Sequence, residues 1–311
     1  MYLEIRKLGK SKAYYLGHSF REGGKIHKIR RFLGTNLTEA QIKELRPKAE
    51  GIILTEIQRY RIINNPLNRK LSAREVDIIK KLQDKITLKV DHLSKDDWKL
   101  FTEAFTFDTN AIEGSTVSFG EVRGILEENS WPKDKEKWEI SETYGVSEAI
   151  KELRATNEHL TVGLILKLHE ICFRNSKAYA GQLRPKGVEV CVRNQLGEVL
   201  HVGAPSGRIR SLLDELVTWY QKNKNKYPPL LLAAMVHNQF ETIHPFQDGN
   251  GRIGRLLLNN ILIKQGFPPI NITLARRSVY YAALQAYQKG GDVRPMMELI
   301  VKEYKRFYKN T

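Results

Sequence analysis

Cysteine, long apolar runs and acidic residues are all scarce in this 311-residue sequence. Its two cysteines, Cys172 and Cys191, are too few for a disulfide-stapled secreted domain and favour a reduced compartment. No apolar run approaches the roughly 20 residues of a membrane-spanning helix. The first residues alternate charged and apolar side chains, unlike a signal peptide. We therefore expect a cytoplasmic protein without membrane association.

Acidic side chains are outnumbered, because 51 Lys and Arg face 35 Asp and Glu, for a formal net charge of +16. An excess of this kind is typical of nucleic-acid binding. A lysine-rich surface of a heat-adapted protein is the alternative. The basic residues are spread along the chain and no nucleic-acid motif occurs, so nucleic acid is not the favoured partner.

Residues 1–34 contain three short runs of alternating apolar and polar side chains, separated by glycine-containing turns. This pattern predicts an antiparallel three-stranded meander that is basic on one face. Three strands alone are marginally stable, so the sheet should pack on another element. The basic face is either an arm that docks nucleic acid or a partner, or a solvated face of an accessory sheet. We favour the accessory sheet.

Most of the remaining chain has helical periodicity, with helix-start patterns ahead of the apolar runs. Pro47 should kink or restart the first helix. The first two helices predict an antiparallel hairpin. The predicted domains are a meander (1–35), a helical hairpin (36–93) and a mainly helical domain (94–311). The helix-start residues are Thr38, Ser72, Ser94 and Ser118.

The twelve residues from His244 to Arg255, HPFQDGNGRIGR, lie between two apolar runs with helical spacing. Pro245 ends the first predicted helix, and the glycines allow a tight backbone before the second. Such a turn directs unpaired N–H groups and the positive end of a helix dipole towards one point. A phosphate suits that point.

The side chains of this loop have the roles that phosphoryl or nucleotidyl transfer requires. His244 is a candidate general base, because its usual pKa lies closest to neutrality. Asp248 is a hard carboxylate suited to Mg²⁺. The backbone of the glycine turn can form an anion nest, and two arginines three positions apart can reach bound phosphates. These phosphate-binding candidates are Gly249, Asn250, Gly251, Arg252 and Arg255.

Two other interpretations of the loop are weaker. A hydrolytic zinc site would use His237, His244 and Asp248, but a histidine spacing of seven is unfamiliar and no HExxH occurs. A plain interhelical loop with surface arginines does not explain why so many glycines and charges coincide.

A β-hairpin is predicted over residues 187–203, inside an otherwise helical region. Beside a polar loop, its edge could hold an extended peptide by strand pairing. The alternative is a hairpin without a binding role, and the pattern does not choose between the two.

The loop resembles the signature of the Fic family, H-P-F-x-[D/E]-G-N-G-R-x-x-R, at every fixed position. The resemblance covers about residues 95–305. It includes Gly181-Gln182-Leu183-Arg184, which is similar to the G-x-x-R before the family's flap, and the hairpin at 187–203, which lies where the flap does. It implies a mainly α fold, with a Fic-like helical core and a β-hairpin flap beside the small N-terminal meander.

The resemblance implies AMP transfer from ATP, with Mg²⁺ or Mn²⁺, to a Tyr, Thr or Ser hydroxyl of a target protein or of the protein itself. His244 would deprotonate the hydroxyl, Asp248 would hold the metal between the α- and β-phosphates, and Arg255 would hold the γ-phosphate. The flap would grip the target's backbone. Phosphotransferring relatives alter the G-N-G-R segment, which is intact here. The remaining nucleotide contacts would come from Gly249, Asn250, Gly251, Arg252, Tyr281 and Gln288.

Residues Thr109 to Gly114 match the family's inhibitory motif, [S/T]-x-x-x-E-[G/N], in a helix expected at about 105–114. The resemblance implies that Glu113 pairs with Arg255 and blocks the productive ATP pose. Without it, Glu113 is a surface residue at a helix end. Some relatives use this Glu to remove AMP instead, so a de-AMPylase is the alternative, and a basic nucleic-acid-binding protein using residues 1–34 is a third. Relatives with the motif often form homodimers.

Overall fold

The computed structural model describes residues 1–22, 25–60, 71–84, 88–193 and 199–307. The chain divides into two compact units, Met1–Asn64 and Asn65–Thr311. Their strands and helices, in chain order, are β1 (Tyr2–Leu8), β2 (Ser11–Glu22), β3 (Lys25–Thr35), α1 (Glu39–Tyr60), α2 (Ala73–Asp84), α3 (Lys95–Ile112), α4 (Phe119–Glu128), α5 (Lys137–Ala155), α6 (Val162–Phe173), β4 (Cys191–Arg193), β5 (Val199–Val202), α7 (Ile209–Asn223), α8 (Pro229–Ile243), α9 (Asn250–Lys264), α10 (Arg277–Gly290) and α11 (Arg294–Phe307).

The first unit is the predicted meander with a helix packed on it. The sheet is antiparallel with strand order β1-β2-β3, and α1 contacts β2 and β3. Three strands alone are only marginally stable, and the apolar side chains buried between the sheet and the helix provide the missing stability. This small core consists of Leu16, Ile29, Ala49, Ile53 and Ile57.

Helix α1 continues through Pro47, so the proline does not restart the helix; the other expectation, a kink at Pro47, stays a prediction. Pro47 is exposed, and water can replace the hydrogen bond that proline cannot donate. The predicted helix starts are confirmed by reciprocal capping bonds. At α3, for example, Asp97 N–H donates to Ser94 Oγ at 3.1 Å, and Ser94 N–H donates to Asp97 Oδ2 at 2.8 Å.

The boundary between the compact units falls inside the helical hairpin predicted for residues 36–93. The segment that joins its two helices, residues 61–70, lies outside the described residues. The domain limits inferred from the sequence therefore stay a prediction.

The second unit is built around the pair α8 and α9, which pack against each other. Every residue of α8 from Leu230 to Ile243 is buried. A helix that is apolar on nearly all sides must be surrounded, and α7, α10 and α11 contact α8 while α5 and α6 contact α9. The loop between these two central helices is therefore held by the best-packed part of the unit.

Strands β4 and β5 form the predicted antiparallel hairpin, with Cys191 opposite Val202. The tip, residues 194–198, lies outside the described residues. In the described part of the chain, no helix combines the length and the hydrophobicity that a membrane span requires.

Candidate active site

The backbone conformation of the loop between α8 and α9 is fixed by a few of its residues. His244 ends α8 in a left-handed conformation with φ of 52°, and Gly249 precedes α9 with φ of 80°. Glycine is required at position 249 for two reasons: the positive φ, and the ring of Phe173, with which a Cβ would collide. The Asn250 side chain accepts from Phe246 N at 2.9 Å and donates to Phe246 O at 3.0 Å. These bonds tie the turn closed.

His169 supports this loop from below. Its Nδ1 accepts from Gly181 N–H at 2.9 Å, so Nε2 carries the proton and donates to Asp248 O at 3.2 Å. Its ring stacks on Phe246 with centroids 3.8 Å apart. Burial lowers the pKa of His169 to about 4, which keeps the ring neutral. His169 is thus a structural histidine that positions the loop.

His244 begins the loop and lines the cavity, and one of its ring nitrogens, Nδ1, is hydrogen-bonded to the protein. Its Nδ1 is 3.3 Å from the carbonyl oxygen of Glu241, which can only accept, so Nδ1 carries the proton and Nε2 keeps a lone pair. The side chain is 15 % exposed. Burial lowers the pKa of His244 to about 4. A neutral imidazole with an unprotonated Nε2 is the form that a general base needs at neutral pH.

Arg255 is buried and bound to the last turn of α3. Its Nε donates to Thr109 Oγ1 at 2.7 Å, and its Nη2 donates to Thr109 O at 3.0 Å and to Glu113 Oε1 at 2.7 Å. Tyr280 OH lies 3.2 Å from Nη1. The guanidinium is therefore fully engaged by protein groups, in the pairing that the inhibitory motif implied.

Gly251 permits this arrangement sterically. A Cβ at Gly251 would overlap the Glu113 carboxylate that holds Arg255. The glycine thus admits Glu113 to the start of α9 as well as shaping the turn.

The second arginine of the loop, Arg252, is also paired with a carboxylate. Its Nη1 bonds Glu142 Oε2, and its Nη2 is 3.7 Å from Asp248 Oδ2. Lys177 Nζ lies 2.9 Å from the same Asp248 oxygen. Burial raises the pKa of Asp248, but Arg252 and Lys177 outweigh it and hold the pKa below its usual value. Asp248 is therefore an anion at neutral pH.

The donor set fits a magnesium ion shared with a ligand, and does not fit zinc. Within the described residues, no three His, Cys, Asp or Glu side chains are placed to hold a metal ion together. His237 is fully buried, with Nε2 3.0 Å from Tyr280 OH, which excludes it from a zinc site. The Asp248 side chain is 44 % exposed and can supply one hard oxygen, while phosphates and water complete the shell.

A cavity of about 220 Å³ opens above the loop. It brings together His244, Asp248, the glycine turn, Glu113 and both predicted adenine contacts. The two arginines lie behind its wall, each held by a carboxylate. The lining residues include Glu113, Glu241, His244, Asp248, Gly249, Asn250, Gly251, Tyr280, Tyr281, Leu284, Gln285 and Gln288, with Cys191, Val192 and His201 from the hairpin.

Residues 159–262 match the model of the Fic/DOC family, and this range includes the whole loop and both of its arginines. This chain contains a Fic domain. Among curated proteins, protein adenylyltransferase fic-1 of Caenorhabditis briggsae is 34 % identical over 205 residues, which is 64 % of this chain and 39 % of that protein. Protein adenylyltransferase Fic of Aedes aegypti is 34 % identical over 194 residues, 61 % of this chain and 37 % of that protein. The match thus spans about two fifths of these relatives.

Solved structures confirm the predicted fold of the Fic domain. A Fic family protein from Desulfovibrio desulfuricans superimposes with a TM-score of 0.66 at 22 % identity, covering 77 % of this chain and 74 % of that one. Fic-1 from Caenorhabditis elegans gives 0.62 at 24 % identity, covering 89 % and 79 %.

Several residues of the Fic domain site carried no sequence signal. Glu142 on α5 and Lys177, shortly after α6, contact residues of the loop. Both lie far from the loop in sequence, and a charged residue in such a position normally indicates a solvated side chain. Glu241 lies on α8, with its Oε2 3.8 Å from His244 Nδ1. Burial raises the pKa of Glu241 to about 8, so it is largely protonated at neutral pH. A glutamate next to the general base could not be distinguished from a surface residue by spacing.

Arg184 connects the hairpin to the catalytic loop of the Fic domain. The sequence identified it only through a motif resemblance. Its buried guanidinium donates to His244 O at 2.9 Å, to Val188 O at 2.7 Å and to Ala204 O. One side chain thus holds the carbonyl oxygens of the loop and of both ends of the hairpin.

Replacing Arg184 with methionine should lower the free energy of unfolding by about 3 kcal/mol, because buried carbonyls lose their donor. Urea denaturation measures this, and hydrogen exchange should accelerate in residues 188–204. Arg210→Met is the matched control, since Arg210 is 66 % exposed and pairs only with Asp214; its effect should stay below about 0.5 kcal/mol. Equal effects would show that the three carbonyl contacts contribute nothing.

Proposed function

We propose that this Fic domain transfers AMP from ATP to a Tyr, Thr or Ser hydroxyl of a target protein or of the chain itself, and that Glu113 inhibits it. The observation that carries the proposal is the placement of an unprotonated His244 Nε2 beside a glycine turn at a helix N-terminus. The curated names of the matching relatives support it.

The proposed reaction needs one base and one anion site. His244 Nε2 removes the proton as the target's hydroxyl oxygen attacks the α-phosphorus. A new P–O bond forms, the bond from the α-phosphorus to its bridging oxygen breaks, and pyrophosphate leaves. The first N–H groups of α9 have no partners within the helix and face the charge that develops on the α-phosphate.

The remaining nucleotide contacts follow from the same cavity. Asp248 would hold Mg²⁺ or Mn²⁺, which neutralises phosphate charge when bound. Arg252 would contribute positive charge near the phosphates, and Arg255 would bind the γ-phosphate after release from Glu113. Tyr281 and Gln288, one helix away, would contact the adenine by stacking and by hydrogen bonding. Asn250 contributes through its backbone, since its side chain closes the loop.

The target protein would bind along the β4–β5 hairpin. Cys191, Val192 and His201 line the cavity, so the hairpin runs past the base. An extended segment that pairs with its edge would present a side chain to His244, which is the geometry of strand addition.

Two labels on ATP test the transferred group. The Glu113→Gly variant is incubated with Mg²⁺, cell lysate and ATP labelled at either the α- or the γ-phosphate, and protein is separated on a gel. Lysate without the variant gives the labelling due to its own kinases. Above that background, we expect protein labelling from α-labelled ATP alone, and mass spectrometry then locates the modified residue. Labelling above that background from γ-labelled ATP would show a kinase instead.

Removal of AMP from a modified protein is the second candidate, and the exposure of Glu113 favours it as an alternative. The Glu113 side chain is 28 % exposed and lines the same cavity as His244, where a carboxylate can orient water. Protein labelled by the Glu113→Gly variant serves as substrate. Release of AMP by the unaltered protein but not by the variant would establish hydrolysis; release by neither would exclude it.

The pH dependence of transfer should reflect the low pKa of His244, about 4. The active form is the neutral base, which predominates above that pKa and is lost as the pH falls through it. AMP incorporation by the Glu113→Gly variant should therefore change little from about pH 8 to 6 and decline below about pH 5. Circular dichroism at each pH controls for unfolding. A decline centred near about 6.5, the usual histidine value, would show that His244 is solvated instead.

A further inference from the structure

The N-terminal meander concentrates positive charge. Residues 1–35 contain nine Lys and Arg and two Glu, a net charge of +7, whereas the whole chain of 311 residues carries +16. One ninth of the chain thus holds nearly half of its charge. Its role is independent of the function proposed for the Fic domain.

The strand register separates the two faces of this sheet. Leu16 and Ile29 point to the side that α1 covers. Cross-strand partners share a face, and the opposite face therefore contains the sets Tyr2–Gly17–Arg30 and Glu4–Tyr15–Phe32. We call this side the outer face. It consists of Tyr2, Glu4, Arg6, Tyr15, Ser19, Arg21, Ile26, Lys28, Arg30 and Phe32.

The cations of the outer face are held in place by one carboxylate. Glu4 bonds Arg6 at 2.8 Å and Arg30 at 2.8 Å, and it lies 3.2 Å from Lys28. Arg6 also lies over the Tyr15 ring and Lys28 over the Tyr2 ring, each 5.1 Å from the centroid. The three cations remain 39–47 % exposed. A fixed array of cations loses little entropy when it meets a polyanion.

Apolar side chains are exposed between these charges. Ile26 is 70 % exposed and Phe32 is 55 % exposed. Single exposed apolar side chains are normal on a solvated face, so it is their position within a fixed array of cations that points to a ligand. Cations with interleaved apolar groups match a ligand that offers both phosphates and base or methyl surfaces.

We propose that the outer face binds double-stranded DNA. The major groove is about 12 Å wide and admits two neighbouring strands, whose axes lie about 4.8 Å apart, so two strands of the outer face can enter it together. β-Sheet proteins read DNA in this way. The major groove of duplex RNA is too narrow for it. Single strands stack successive bases on several free aromatic faces, whereas Lys28 and Arg6 cover two of the three outer-face aromatics, Tyr2 and Tyr15, and leave only Phe32.

The test measures binding of the 311-residue protein to a fluorescent duplex of about 25 base pairs and mixed sequence, by anisotropy, from about 50 to 200 mM salt. Binding should weaken steeply with salt. The double variant Lys28→Gln/Arg30→Gln should bind at least about tenfold more weakly, with a salt slope lower by about 2. The matched control is Lys43→Gln/Lys48→Gln, which loses the same charge at exposed positions of α1 and should stay within about twofold.

A gain of binding guards against loss through misfolding. Glu4→Gln removes the one anion among the outer-face residues named above but keeps an amide oxygen that can accept from the cations. It should therefore tighten duplex binding by about threefold or more, which a damaged protein could not do. The proposal is overturned if the duplex does not bind at low salt, or if both double variants lose affinity equally. It is also overturned if single-stranded DNA, duplex RNA or polyglutamate competes as well as duplex DNA.

Discussion

AMP incorporation should rise by about 10- to 100-fold when Glu113 is replaced with glycine. The carboxylate is bound to Arg255 at 2.7 Å, in the place where the γ-phosphate would bind. A charge-assisted hydrogen bond of this kind contributes about 1.5–3 kcal/mol, and each 1.4 kcal/mol is about tenfold in an equilibrium constant. Labelled AMP bound to protein, counted over time with the α-labelled nucleotide, measures the change.

Glu128→Gly is the matched control for this variant, because Glu128 is an exposed glutamate at the end of α4. It shares the helix-terminal setting of Glu113 but does not line the cavity, so it should leave incorporation unchanged. Adding Arg255→Ala to Glu113→Gly should remove the gain, since the γ-phosphate then has no guanidinium to bind. An unchanged rate in Glu113→Gly itself would show that the ion pair does not inhibit.

Replacing His244 with alanine in the Glu113→Gly background should reduce AMP transfer by about 10²- to 10⁴-fold, the usual contribution of a general base. The target's hydroxyl then has no group to accept its proton. Binding of a fluorescent ATP analogue should be almost unaffected, because the helix N-terminus that receives the phosphates is intact. Initial rates and the binding constant, measured on the same preparation, separate the two effects.

His92→Ala controls for the general effect of losing a histidine, since His92 is exposed and lies outside the cavity. Its rate should match that of the Glu113→Gly parent. If His244→Ala retained more than about a tenth of the parent's rate, His244 would not be the base.

Features that depend on neighbouring residues could be predicted from the sequence. Each of three such features requires only a few adjacent residues. They are the helix caps at Ser94 and Ser118, the tight glycine-containing turn at Gly249, and the helix N-terminus at the start of α9. The same locality explains why the strands of the meander and the hairpin were identified correctly.

Contacts between distant residues could not be predicted in this way. Glu142 and Arg252 are 110 positions apart, and no periodicity links a buried glutamate on α5 to an arginine in the first turn of α9. The pair Glu113 and Arg255, 142 positions apart, was anticipated only through a family resemblance. Helical spacing alone makes Glu113 a surface residue, because it says nothing about which cation lies across the cavity.

The outer face shows a further limit of pattern reading. Alternation predicted that the meander would be basic on one face, but it could not place Arg6 over Tyr15 or bring three cations to Glu4. Those contacts depend on the register between strands, which the turns and the buried core set together.

A mutation at Gly251 should affect inhibition and catalysis at the same time. Any larger side chain there would meet the Glu113 carboxylate that holds Arg255, and it would also project into the cavity that Gly251 lines. In the proposed enzyme, a mutation at this position that breaks the restraint damages the catalytic machinery in the same step. Substitutions at residue 251 should therefore give inactive proteins rather than unregulated ones. Because only glycine, with a hydrogen atom as its side chain, fits this position, uncontrolled modification of host proteins should not arise from mutation here.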